Sequence, residues 1–99
     1  MKVFREPIEF EWDKGNIYKN LVAHGVKNEE CEEVFFDTSK LILRDPLHSD
    51  KEKRYILIGK TKKQRVLFIV FTLRKKKVRV ISARDLNKKE LHLYHGKKS

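Results

Sequence analysis

Six consecutive apolar residues at positions 66–71, VLFIVF, leave neither face of a strand polar, so this segment must lie inside a sheet with neighbours on both sides. That requirement organises the second half of the chain. Residues 54–59 and 66–72 are separated by a charged stretch, 60–65, and read as a hairpin; a second charged tip at 74–77 leads into a strand over 78–83. A short strand at 41–43 is stopped by Asp45-Pro46, because proline has no N–H to give a ladder and biases the residue before it. Residues 45–53 then form a loop.

Upstream of the sheet the apolar spacing changes. Val3, Phe4, Ile8, Phe10 and Trp12 suggest a short edge strand or extended arm interrupted by Pro7. Asp13 reads as the N-cap of a first helix from Lys14, with Ile17, Leu21 and Val22 at helical spacing and His24-Gly25 at its end. Asn28 caps a second helix that has Glu29, Glu30 and Glu32 in its first turn and a buried stripe of Cys31, Val34 and Phe35. Asp85 caps a last helix running to about His95 and ended by Gly96. The expected fold is α+β, with two N-terminal helices and a C-terminal helix packed on a small antiparallel sheet, in one domain over residues 1–99.

Charge divides the chain more sharply than hydrophobicity does. The formal net charge is +10, yet residues 1–50 carry a balance of −4 and residues 51–99 one of +14. Such an asymmetry points to a polyanionic partner, the alternative being a solvated basic face that keeps a small protein soluble. The single Cys31 excludes a disulfide framework and a cysteine-rich zinc site, and reads as a small buried hydrophobe. No apolar stretch approaches the roughly 20 residues that cross a bilayer, and the N-terminus lacks a signal-peptide core. A soluble, cytoplasmic protein without a membrane partner is expected.

The candidate chemistry is cationic. Arg54, Arg79 and Arg84 lie in or beside strands, where guanidinium forks can meet phosphate oxygens bidentately. Strict alternation puts Arg79 and Arg84 on opposite faces, so both reach one site only if the strand bends near Ser82-Ala83. The loop before Arg54 adds His48 and Glu52. Metal-free RNA cleavage needs a base for the 2′-hydroxyl, cations for the phosphorane and an acid for the leaving oxygen, and His48 or Glu52 could supply the base. Lys60, Lys62, Lys63 and Arg65 of the first tip and Lys76 of the second are candidate RNA contacts, although charge at a hairpin tip also discourages sheet aggregation. Tyr94 is a candidate for stacking on a base, as are Tyr55 and Trp12, with core packing the competing role. Ser82 and Thr72 could donate to phosphate. His92 and His95 lack a third ligand, so no metal or cofactor is expected. No nucleophile elbow or glycine-rich phosphate loop is present.

Taken in order, Phe10-Glu-Trp-Asp13, Lys19-Asn20, His24-Gly-Val26, Val34-Phe35 with Asp37, Asp45, His48-Ser49, Arg54, Ile58-Gly59, Phe71-Thr72 and Arg79-Val-Ile-Ser-Ala-Arg84 resemble the BrnT family of toxins over residues 8 to about 94. The resemblance implies a RelE-like fold and a ribonuclease activity that arrests translation. It also implies neutralisation by a BrnA-type antitoxin, which alone would contact operator DNA. Carried over by position, it puts weight on His48, Arg54, Arg79 and Arg84. The antitoxin is expected to be acidic and to cover the basic sheet face. The competing class is a non-catalytic RNA-binding or ribosome-associated module using the same basic face; a third possibility is a subunit whose charge serves an acidic protein.

Overall fold

Alternating side chains on a twice-flanked strand dictate the architecture. The computed structural model describes residues 8–45 and 52–98, with side chains to residue 94, and holds β1 (Leu41–Asp45), β2 (Arg54–Lys60), β3 (Val66–Arg74) and β4 (Lys77–Asp85) in one antiparallel sheet of order β1-β2-β3-β4. The 66–71 run is the middle of β3, hydrogen-bonded to β2 and β4. Its two hairpin connections turn at opposite ends of the sheet. The second is a two-residue turn with Lys75 and Lys76 at φ 51° and 69°, the left-handed pair a hairpin of this length requires, here without glycine or asparagine.

Two helices, α1 (Lys19–His24) and α2 (Asn28–Val34), precede the sheet, and α3 (Leu91–Lys98) follows it. Their bounds differ from the sequence expectation. Residues 14–18 form a turn, in which Asp13 accepts from the backbone of Gly15 and Ile17, and the helix proper starts only at Lys19. Gly25 ends it at φ 66°, as expected. Asp85 does not cap α3: it ends β4, and Arg65 holds it at 2.6 Å. Asn87 takes the capping role, accepting from the Glu90 N–H at 2.9 Å while Glu90 accepts from the Asn87 N–H at 3.1 Å.

The core lies between α2 and one sheet face. Cys31, Val34 and Phe35 meet Leu57, Leu67, Ile69, Phe71, Val78, Val80 and Ala83, with Phe35 edge-on to Phe71 at 5.1 Å. Trp12 and Tyr55 belong to this packing: Tyr55 stacks on Phe71, and the Trp12 indole donates to Glu32 at 2.7 Å.

α1 departs from the expected apolar stripe. It lies along β4, where the Nδ2 of Asn16 donates to the carbonyl of Val80 and Lys19 donates to that of Ile81, while the N–H of Ala83 donates to Asn20. The extended segment before it pairs with the same strand, through Glu11 N–H to Val78 and Val78 N–H to Glu9. An exposed strand edge invites further pairing, and these groups close it. Leu21 and Val22 therefore face outward, because the inward positions of α1 are used for polar contacts to backbone.

Candidate nucleic-acid interface

The sheet face opposite the core carries the strand arginines. Val70 pairs with Ser82 but Phe71 pairs with Val80, so Ile81 is the extra residue of a β-bulge. The bulge resets the alternation: Val78, Val80 and Ala83 are buried on the core side, and Arg79, Ser82 and Arg84 share the other. The conflict posed by strict alternation is thereby removed. Across the strands, Asp45, Arg54, Thr72 and Arg79 form one row. Arg54 and Arg79 are two strands apart, roughly 10 Å between backbones, and Arg84 lies opposite Phe68, about 13 Å further along. Its guanidinium carbon is 4.2 Å from the Phe68 ring centre, a cation–π contact.

These guanidinium groups are engaged rather than open. Arg79, 13% exposed at its side chain, donates to Glu11 at 2.9 Å and to both Asp13 oxygens at 2.7 and 2.9 Å. The Arg79 charge holds the Asp13 carboxyl below its usual range, helped by the Gly15 N–H, and the carboxylates in turn hold the Arg79 proton more firmly. Arg84 forms a two-pronged pair with Glu90 at 2.7 and 2.8 Å, which lowers the Glu90 carboxyl. Arg74 meets Glu52 at 3.3 Å. The charge asymmetry read from the sequence is thus partly internal, since first-half acids partner second-half arginines.

Other sequence candidates have different fates. Arg65 bonds to Asp85, Glu30 and the carbonyls of His24 and Gly25, tying the 61–65 tip to β4 and both early helices; its donors are committed inside the fold. Tyr94 is fully buried, so its ring is not presented to a base. Its hydroxyl donates to Asp37 at 2.8 Å, and burial together with that bond pushes the phenol up to about 12. Asp37 is lowered in spite of burial, because the N–H groups of Lys60 and Ser39 and the Tyr94 hydroxyl stabilise its charge.

Lys60 lies over the Tyr94 ring at 5.7 Å, while Lys62 and Lys63 are exposed at the 61–65 tip. Lys76 is exposed at the other end of β3, a nine-residue strand of roughly 27 Å, so the two lysine groups do not form one patch. Thr72 is buried and donates to the Lys53 carbonyl at 2.7 Å. Burial pushes the Cys31 thiol up to about 12, making it unreactive. His48 lies outside the described residues. Among the described residues no three His, Cys, Asp or Glu side chains are grouped to hold a metal ion, and no helix is long and apolar enough to cross a membrane.

The roles of Glu11, Asp13 and Glu90 in orienting the arginines, and of Asn16 and Asn20 in sealing β4, were not read from the sequence, where Asp13 stands only as a helix cap and Glu11 and Asn20 only within the family pattern. Glu90 had a local signal, the Asn87-x-x-Glu90 capping spacing; the others depend on partners more than 60 residues away.

Comparison with protein families finds that residues 12–90 match the one described as the ribonuclease toxin, BrnT, of type II toxin-antitoxin systems. No individual curated protein matches the chain.

Proposed function

The chain belongs to the BrnT family of ribonuclease toxins of type II toxin-antitoxin systems, and from that premise we propose that it is a metal-independent endoribonuclease that cuts single-stranded RNA, arrests translation and is silenced by a BrnA-type antitoxin. On this reading the sheet and its helices are the RelE-like arrangement the family resemblance implies, and operator DNA is bound only through the antitoxin. The observation that carries the enzymatic reading is the bulge at Ile81, which puts Arg79 and Arg84 on the face that bears Arg54.

The chemistry follows from that placement. Deprotonation of a 2′-hydroxyl lets it attack the adjacent phosphorus, and charge builds on the phosphoryl oxygens as the 5′-oxygen departs. Arg54, Arg79 and Arg84 hold the phosphate and take up that charge, and His48 moves a proton. Until RNA arrives, the carboxylates of Glu11, Asp13 and Glu90 keep two of the forks aimed; phosphate takes the same two-pronged geometry when it displaces them. Asp13 is about half exposed, which leaves it room to swing away.

Cleavage of a labelled single-stranded RNA in the presence of a chelator tests this. Arg79→Ala and Arg84→Ala, each checked for retained fold, should lower the rate about 100-fold or more, the scale of losing one transition-state donor. His48→Ala should fall comparably. Undiminished cleavage by a folded Arg79→Ala/Arg84→Ala protein overturns the assignment.

The ion pairs favour one second reading, a non-catalytic RNA-binding module in which exposed lysines contact phosphates while the arginines are structural. It expects RNA binding that weakens steeply with salt and no cleavage by the native protein.

A further inference from the structure

Helix α1 is turned inside out relative to an ordinary surface helix. Its buried residue is Asn20, whereas Tyr18, Leu21 and Val22 are 68%, 48% and 84% exposed. Spaced i, i+3 and i+4, these three side chains make one ridge along the helix. A contiguous apolar patch on a small, otherwise highly charged protein marks an interaction surface. Its own segment is basic: residues 14–27 contain Lys14, Lys19 and Lys27, all exposed, and no acid, the nearest acids in sequence being Asp13, which Arg79 holds, and Glu29. The ridge also adjoins the arginine row, since Gly15 approaches Arg79 so closely that a Cβ there would lie 2.8 Å from its Nη2, and Lys19 reaches the carbonyl of the bulge residue Ile81 at 3.0 Å.

We infer that this ridge is the docking surface for an acidic amphipathic segment of the antitoxin, which seats apolar side chains on Tyr18, Leu21 and Val22 and sets carboxylates against Lys14 and Lys19. The inference rests on the toxin reading for the existence of an antitoxin, but not on which residues cleave RNA. Charge complementarity selects the occupant. A second copy of the chain packed isologously would bring the same lysines face to face. RNA gains little from the aliphatic Leu21 and Val22, which offer neither charge nor an aromatic face for a base. An amphipathic acidic segment satisfies both the ridge and its rim, as helices laid on apolar surfaces do. Bound there it flanks Arg79 and obstructs one end of the Arg54–Arg79 row. The surface therefore lies beside the basic sheet face, on the acidic half of the chain at its locally basic helix.

The test compares binding of the purified antitoxin, produced from the adjoining reading frame, to the native toxin, to a Leu21→Glu/Val22→Glu variant and to Phe36→Glu, which alters an equally apolar, 63% exposed position at the end of α2. The ridge variant should bind at least 100-fold more weakly, keep the native melting temperature and keep the native RNA-cleavage rate when free, while Phe36→Glu binds normally. Antitoxin that binds the ridge variant as tightly as the native protein overturns the inference. So does a toxin that dimerises alone through the ridge and is split by the double substitution. If the native protein cleaves no RNA but the ridge still governs antitoxin binding, the enzymatic reading fails and the docking surface stands; cleavage with ridge-independent binding gives the reverse.

Discussion

The two sides of β4 are held by opposite chemistry. Facing α2, Val78, Val80 and Ala83 join a continuous apolar cluster with Phe35 and Phe71. Along its outer edge, Asn16, Lys19 and Asn20 satisfy backbone groups, and the Glu11–Asp13 pair grips Arg79. The apolar side constrains volume and shape, with no hydrogen bond to fix a direction. The polar edge fixes orientation, because each hydrogen bond specifies a direction and an orphaned buried group is expensive. This is why Arg79 is aimed by the edge and not by the core, and why α1 has apolar side chains left over for a partner.

That contrast can be broken first by truncation on each side. Phe71→Ala should cost about 3–5 kcal/mol of unfolding free energy, as loss of a buried aromatic does, whereas Asn20→Leu, which strands the Ala83 N–H, should cost about 1–3 kcal/mol. Urea denaturation of both measures the difference, and equal losses would mean that the edge is as much a part of the core as Phe71.

Acid should then discriminate between apolar and ionic contributions. Asp13, Asp37, Asp85 and Glu90 all sit below their ordinary values. Because the folded form binds these protons less readily than the unfolded chain, their stabilisation is complete above the ordinary carboxylate range, about pH 4–4.5, and is lost as pH falls through the lowered values. Thermal melts should be flat from pH 7 to about 5 and fall below about pH 4, with a shallower fall in Glu90→Gln. An unchanged acid slope in that variant would remove Glu90 from the ionic contribution.

The smallest effect lies in the tip at the far end of β4. Replacing Lys75-Lys76 with Asn-Gly should stabilise by about 1 kcal/mol, since both positions are left-handed and the native lysines carry that strain. A loss of RNA affinity in the same variant would show that the strain retains Lys76 for binding.

Much of the sheet was legible because period-two alternation and charged tips are local signals: β2, β3 and β4 begin within a residue of where the sequence puts them, and the 66–71 run could only be internal. The α1 pattern was legible as a helix but not as to which way it faces, since Tyr18, Leu21 and Val22 have the same spacing whether a core or a partner covers them. The bulge at Ile81 has no local mark, because Val80-Ile81-Ser82 contains no glycine and reads as plain strand. Whether Arg54, Arg79 and Arg84 face together was therefore beyond the sequence, as was the engagement of Arg65, Arg79 and Arg84 by acids.

By itself the sequence determined the strand-forming segments, the helix-forming segments and the division of charge between the two halves, because each depends on residues within a few positions of one another. Tertiary structure decided the face each arginine occupies, the acids that hold Arg65 and Arg79 and the outward turn of α1. Those outcomes depend on one extra residue in a ladder and on groups brought together from 20 to 68 positions away, where closeness in space is set by the whole fold.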